Sequence, residues 1–275
     1  IKPLKPEFDR IDAISSVADL QKEIAHLQVE GVNAVFQFGS EQDRKKSTDV
    51  IATAVQGGLG LPDRDYYTKT DDASRKLRDQ YAAHVKKMFD LMGEDVSKIG
   101  ADAKTVLAVE TKLAEASMTN VEQRDPDATY HRMGLAELKT LTPSFSWTAY
   151  LRDVDAPAAL QAVNVQQPKF FQAMNKQLNS VPLADWKVYL RWQLLSSAAP
   201  ALSSKFVDES FDFNQRILQG TEKNLPRWKR CVRSTDAQVG FALAKVYVAE
   251  NFPPEAKARA DKMIRDLIAA LRDDL

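Results

Sequence analysis

SRKLRDQYAAHVKKM, residues 74–88, places Leu77, Tyr81, Val85 and Met88 at steps of four, four and three, with mostly charged or small side chains between them. Side chains three and four apart share one face of an α-helix, so this run reads as an amphipathic helix with a single buried stripe. The period recurs along the chain: Val106, Val109, Leu113 and Ala116 form a second stripe, and Trp186, Tyr189, Leu190 and Leu194 a third. A last long helix is expected after Pro253-Pro254, with Ala260, Met263, Ile264, Leu267, Ile268 and Leu271 on one side. Proline suits a first helical turn and not a helix interior. From Ser74 onward nearly everything reads helical.

Before Ser74 the pattern is mixed. Lys2 to Phe8 is expected to be extended by its prolines. Leu20, Ile24 and Leu27 then mark a helix for which Ser16 is the N-cap, with Asp19 in the first turn. After Gly31, VNAVFQF (32–38) and VIATAV (50–55) are β-rich, with a polar, turn-rich stretch between them. These read as two strands of a small hairpin. The expected fold is therefore mainly α: a multi-helix lobe with a β-hairpin near the N-terminus, strands at about 32–38 and 50–55. No 20–50-residue repeat and no low-complexity linker divides it.

Composition narrows the function. With 275 residues, 44% hydrophobic and 28% charged, the chain can bury a large core. Lys+Arg and Asp+Glu balance at 38 each, which argues against a nucleic-acid partner. No apolar run approaches the length of a membrane span. The start at Ile1 and the acidic end at Asp273-Asp274 are expected to mark a processed or cut chain. Cys231 is the one cysteine, so no intramolecular disulfide forms, and it is expected to be a buried or inert thiol.

The motifs of common hydrolases are missing. Zinc hydrolases present His-Glu-x-x-His, two imidazoles one helical turn apart, whereas His26, His84 and His131 are never at i, i+4. No Gly-x-Ser-x-Gly elbow occurs, and Gly57-Gly58-Leu59-Gly60 runs into Pro62 without phosphate-loop spacing. Asp63-Arg64-Asp65-Tyr66-Tyr67 and Glu122-Gln123-Arg124-Asp125-Pro126 read as loop-fixing networks, not ligand sites. Glu110 and Glu115, five apart, share a helix face poorly and make a weak acid pair. Trp147, Trp186, Trp192 and Trp228, interleaved with Arg191, Arg227 and Arg230, are expected in core packing with cation–π contacts, not in base stacking.

Several of these strings nevertheless occur together in a known order. QGGLGLPDRDYY (56–67) resembles the G-L-G-L-P-x-R-D-Y-Y segment of the neprilysin-like zinc metallopeptidases, the family of the endothelin-converting enzymes and bacterial oligopeptidases. NVEQRDP (120–126) with Tyr130, Phe145-Ser146-Trp147, Tyr189-Leu190-Arg191-Trp192, Arg227 to Cys231, and Gly240 leading into Val246-Tyr247-Val248 follow in family order. The resemblance spans essentially the whole chain and is closer to bacterial members.

It implies a secreted or periplasmic zinc endopeptidase with two mainly helical lobes around an enclosed cavity, in which a glutamate helps a zinc-bound water attack the peptide carbonyl. Residues 1–275 would be part of the N-terminal, substrate-gating helical domain. The catalytic zinc domain would follow residue 275, with His-Glu-x-x-His, a glutamate from a Glu-x-x-x-Asp helix, an Asn-Ala pair and a transition-state histidine. A substrate-contacting arginine would precede Ile1. The family's vertebrate disulfide pattern is absent. No catalytic, cofactor-binding or metal residue is therefore assigned here: zinc is expected in the parent and none on this chain, which alone is expected to be inactive. The implied partners are the catalytic zinc domain of the same protein and peptide substrates, and the implied location is periplasmic or extracellular. The competing expectation is a stand-alone helical peptide-binding or scaffold module.

Overall fold

The computed structural model describes residues 2–274 and divides the chain into two compact units, residues 1–220 and 221–275. The first unit opens with α1 (Lys5–Asp12) and α2 (Val17–Val29), then the strands β1 (Phe36–Gln42) and β2 (Val50–Gln56). Ser16 caps α2 by accepting a bond from the Asp19 amide. The short α3 (Asp65–Thr68) leads into the long α4 (Asp72–Met92) and α5 (Val96–Ala116). Aspartates cap both long helices, Asp71 through Ser74 N and Asp95 through Ser97 N. Gly93 ends α4 in the left-handed conformation that an L side chain resists. Then come β3 (Arg132–Gly134), α6 (Leu135–Leu141), α7 (Trp147–Asp153), β4 (Ala162–Val165), α8 (Pro168–Ser180), α9 (Leu183–Ala198) and α10 (Ser204–Phe211), with a π-helical stretch at Asp212–Ile217.

The hairpin is present and is extended to a four-stranded sheet in the order β1-β2-β4-β3. β1 and β2 pair antiparallel from Phe36↔Gln56 to Gln42↔Val50, β2 and β4 run parallel, and β3 returns antiparallel to β4. The first strand begins four residues later than its composition predicts. Val32 N bonds back to Leu27 O, and Val35 has φ 65°, a conformation costly for a β-branched residue. The surrounding bonds hold Val35 there: its amide donates to Tyr189 Oη at 3.0 Å, and Gln28 Nε2 donates to the carbonyls on either side, Ala34 O and Phe36 O. β3 and β4, at three and four residues, are too short to show a period.

Two apolar clusters fill this unit. One gathers α1, α2, the sheet, α7 and α8 around Phe36, whose ring meets Phe145, Trp147, Tyr150 and Phe171 at 5.3–6.0 Å. The other gathers α4 and α10 around Tyr81, Val85, Met88, Trp192 and Phe213. α5 and α9 contribute to both: Val109 and Leu113 to the first and Val106 to the second, Tyr189 and Leu190 to the first and Trp192 and Leu195 to the second. α9 is apolar on nearly every side because it has core on nearly every side. Leu77 and Ala116 are half-buried members of their stripes, and the other members are buried.

The second unit contains α11 (Arg227–Asn251) and α12 (Pro254–Asp274). The α12 stripe exists as a helix face, but Met263, Ile264, Leu267, Ile268 and Leu271 on it are exposed. No residue of α11 is buried either. Cys231 lies on that helix and is exposed, which corrects the burial half of the expectation of a buried or inert thiol. No helix among the described residues is long and apolar enough to cross a membrane.

The backbone between β2 and α3 tolerates no added carbon. A Cβ on Gly58, whose φ is +75°, would lie 2.7 Å from Val35 Cα, and one on Gly60 would overlap the Tyr81 hydroxyl. Gly100, inside α5, has open space around it. Gly58→Ala is expected to lose about 2 kcal/mol or more of stability, and Gly100→Ala to gain roughly 0.5–1 kcal/mol. Urea denaturation of the two variants checks this, and a Gly58→Ala protein as stable as wild type would remove the close approach from the account.

Candidate functional site

The segment Gln56–Tyr67 is held from below by one carboxylate. Glu110 is completely buried on α5 and accepts three bonds: from Tyr67 Oη at 2.8 Å, Tyr81 Oη at 2.9 Å and Gln193 Nε2 at 3.1 Å. Tyr67 Oη in turn accepts the amides of Gly60 and Leu61 at 3.1 and 2.8 Å. Tyr81 Oη accepts Trp192 Nε1 at 2.8 Å. Tyr189 Oη and Gln193 Nε2 both donate to Gly58 O. α3, α4, α5 and α9 thus meet on one carboxylate beneath the glycine-rich loop. No cation pairs with Glu110 among the described residues, and burial, outweighing the three donors, pushes its carboxyl up to about 8. Burial also raises the hydroxyls of Tyr67, Tyr81 and Tyr189.

The same segment is tied to the stretch after α5. Gln56 brackets Met118 with its side-chain amide, donating to its carbonyl at 3.0 Å and accepting its N–H at 2.7 Å. Arg64 Nε donates to Ala114 O at 3.0 Å, and Asn120 Nδ2 donates to Asp63. Asp125 turns its own loop by accepting the amides of Asp127 and Ala128, while Tyr130 Oη and Arg44 fasten the loop to the hairpin through Asp43 and Thr129. Arg64 and Asp125 fix loop geometry as expected. Asp65 pairs with Lys69 at 2.8 Å, and Arg124 is exposed and makes no side-chain bond among the described residues. The chemistry here is architectural: the buried polar groups that hold the segment bond to one another and to backbone, and Glu110 is sealed from solvent.

The histidines lie in three separate environments. His84 stacks on Phe213 and bonds Glu209 at 2.8 Å. His131 donates its backbone N–H to Asn164 and has a buried Nδ1 without a partner. His26 Nε2 is 2.6 Å from Glu7 Oε2, beside Glu23 and Arg10. One histidine with two glutamates is not the two- or three-imidazole set of a catalytic zinc centre, so no catalytic step is derived from these residues. Glu115 is exposed and Glu110 buried, so they form no acid pair. Trp147, Trp186 and Trp192 are core residues, whereas Trp228 is exposed with Lys229 over its ring. Arg191 lies over Phe8 and pairs with Asp12 and Glu94.

Read from sequence, Glu110 counts only as an acid pair with Glu115 and His26 only as one of three scattered histidines, which misses the roles of two of these groups. Glu110 sits in the apolar stripe, four after Val106 and three before Leu113, and a carboxylate at a core position is the signal of a buried network. Glu23 and His26, three apart on α2, share a face and could have been marked as a ligand pair.

Comparison with known proteins agrees with this architecture. The family model described as Peptidase family M13 matches residues 1–275. Endothelin-converting enzyme 1 of Rattus norvegicus is 30% identical over 239 residues, covering 85% of this chain and 31% of its own length. Neprilysin-3 of Drosophila melanogaster is 28% identical over 253 residues, covering 88% and 32%. Among solved structures, the zinc metalloprotease Zmp1 of Mycobacterium tuberculosis in its open state superposes with a TM-score of 0.90 at 33% identity, over 97% of this chain and 41% of that one. The chain belongs to peptidase family M13. It spans about a third of the length of the curated relatives it matches.

The Glu110 carboxyl gives stability a definite pH dependence. Its folded value of about 8 lies above the unfolded value near 4.5, so the folded state holds the proton more tightly. The resulting stabilisation is complete below about pH 4.5 and is lost as pH rises to about 8. Glu110→Gln keeps the shape and removes the titration. Thermal melts between pH 4.5 and 8.5 should therefore show wild type losing stability relative to Glu110→Gln as pH rises. Parallel curves would mean that the carboxylate is already ionised in the fold.

Proposed function

We propose that this chain is the non-catalytic helical lobe of a zinc-dependent metalloendopeptidase that hydrolyses peptides, enclosing the active-site cavity and limiting the size of what enters. It would be part of the N-terminal domain, and the catalytic zinc domain of the same protein would be its partner. The reading is supported above all by the second unit, whose two long helices carry Trp228, Val232, Phe241, Val246, Tyr247, Ile264, Leu267 and Leu271 exposed. Apolar surface on that scale is the mark of a face that packs against something. The match to a solved zinc metalloprotease over 97% of this chain but 41% of that one supports the remainder of a longer peptidase as that partner.

Within this reading the lobe works by shape. Zinc, held by the partner domain, would supply Lewis-acid activation of water. The residues of this chain would exclude bulk solvent and folded proteins from the cleft. The clamp around Glu110 would keep the lobe's wall rigid, so that admission depends on how the lobes open and not on local fluctuation of the wall. A periplasmic or extracellular location follows from family membership as part of the same proposal.

The test compares the catalytic remainder of the parent protein alone with the remainder reconstituted with this chain. The reconstituted protein is expected to cleave short fluorogenic peptides while sparing a folded protein substrate, and this chain alone with added zinc is expected to cleave neither. Leu267→Lys combined with Leu271→Lys should weaken reconstitution by about tenfold or more, as loss of buried interface anchors does. Reconstituted protein that cleaves folded and short substrates alike would overturn the gating role, and hydrolysis by this chain alone would overturn its non-catalytic assignment.

A further inference from the structure

Away from the clamp, one cluster of ligand-type side chains is left over among the described residues. Glu7 lies on α1, and Glu23 and His26 lie on one face of α2. A carboxylate oxygen from each glutamate and an imidazole nitrogen all lie within 4.8 Å of one another. Glu23 is only 4% exposed. Arg10 holds its Oε2 at 3.2 Å, but its Oε1 is buried with no hydrogen-bond partner. Buried carboxylate oxygens are rarely left so, because a desolvated anion needs donors or a cation.

We infer that Glu7, Glu23 and His26 form a binding site for a first-row divalent cation, with Glu23 Oε1 as its buried ligand. This departs from the sequence-based expectation that the chain holds no metal ligands, and it concerns a structural ion, not a catalytic zinc. Two carboxylates and an imidazole match the charge and the mixed oxygen–nitrogen preference of Zn²⁺, Mn²⁺ or Co²⁺ better than those of a soft, thiolate-seeking ion. Ligand atoms about 2.0–2.2 Å from zinc stand roughly 3.3–3.6 Å apart in a tetrahedron, a spacing the cluster reaches with small side-chain adjustments. His26 and Glu7 side chains retain 26% and 28% exposure, which gives the ion a route in and leaves room for water to complete the shell.

Arg10 leaves Glu23 Oε1 free, although its Nε also lies 3.7 Å from Glu7 Oε2. Its guanidinium takes Glu23 Oε2 and, at 41% exposure, can lean toward solvent, acting as an outer partner that orients the ligand. An ion-pair network alone, with Arg10 and a charged His26 facing two glutamates, accounts for Glu7 and for Glu23 Oε2 but leaves Glu23 Oε1 without a donor. The ion would tie α1, eight residues long, to α2.

The experiment is equilibrium dialysis of the metal-stripped 275-residue chain against Zn²⁺, with the visible absorption of added Co²⁺ as a second reading of an imidazole-bearing site. Wild type is expected to bind one equivalent more than Glu23→Gln or His26→Gln, or to bind it more than about tenfold more tightly. Zn²⁺ should raise the melting temperature of wild type and leave that of both variants unmoved. His131→Gln serves as the histidine control and should bind as wild type does. Circular dichroism of the near-isosteric variants separates loss of the ion from loss of the fold. Equal binding by wild type, Glu23→Gln and His26→Gln would overturn the site, as would a wild-type chain that takes up no ion.

Discussion

The arrangement of the first unit depends on a carboxylate that has been taken out of water. Among the described residues Glu110 has three side-chain donors and no counter-cation, so in either protonation state its burial is compensated by hydrogen bonds from Tyr67, Tyr81 and Gln193. Removing one of them would leave a buried acceptor unsatisfied, and the penalty for that exceeds what the bond contributes when made. The network is therefore all-or-none: the positions of α3, α4 and α9 relative to α5 are fixed together. The glycine-rich loop is fixed with them, because the hydroxyl that Tyr67 points at Glu110 also receives the Gly60 and Leu61 amides. Hydrophobic burial supplies the bulk of the stability on both sides of this point, but it is not directional. The carboxylate supplies the register.

This explains why QGGLGLPDRDYY is a distinctive string although it carries no catalytic group. Gly58 must pass against the backbone of Val35, Gly60 must leave room for the Tyr81 hydroxyl, and Tyr67 must reach Glu110. Gln56 and Asp63 fasten the ends of the segment to Met118 and Asn120. Two of the six stretches that carry the family resemblance are thus in contact, each restricting what the other can be. Their residue types are set by close approach and polar satisfaction.

The legible parts of the fold were those with a period. The stripes at Leu77–Met88, Val106–Ala116 and Trp186–Leu194 are helix faces buried as the spacing implies, because 3.6-residue repetition and burial are the same fact seen twice. The hairpin was legible in kind but not in position, since the residues 32–35 have strand composition and yet are bent by side-chain bonds from nearby Gln28 and distant Tyr189 that the β-pattern does not encode. β3 and β4 are held by neighbours on the sheet and not by their own sequence. Of the polar sites, Glu110 and the Glu23–His26 pair were visible as residues at core-facing or shared-face positions. Their partners on α1, α3, α4 and α9 were not, because contacts between distant segments leave no trace in spacing.

The second unit poses the opposite case, in which sequence pattern and structure agree on a helix face whose described apolar residues are exposed. An amphipathic helix owes most of its stability to packing of its apolar face and not to intrinsic propensity. α11 has 25 residues and α12 has 21, with none of the described residues buried in either. Scattered exposed apolar residues need no explanation, but Phe241 at 97% exposure, with Trp228 and the Met263–Leu271 stripe, is a different quantity. The first unit, by contrast, satisfies its own stripes internally and contains two complete apolar clusters. The asymmetry has a physical consequence for the proposed lobe. On that proposal the unit that buries its own stripes would shape the wall, and the unit with exposed stripes would offer its apolar surface to the catalytic domain.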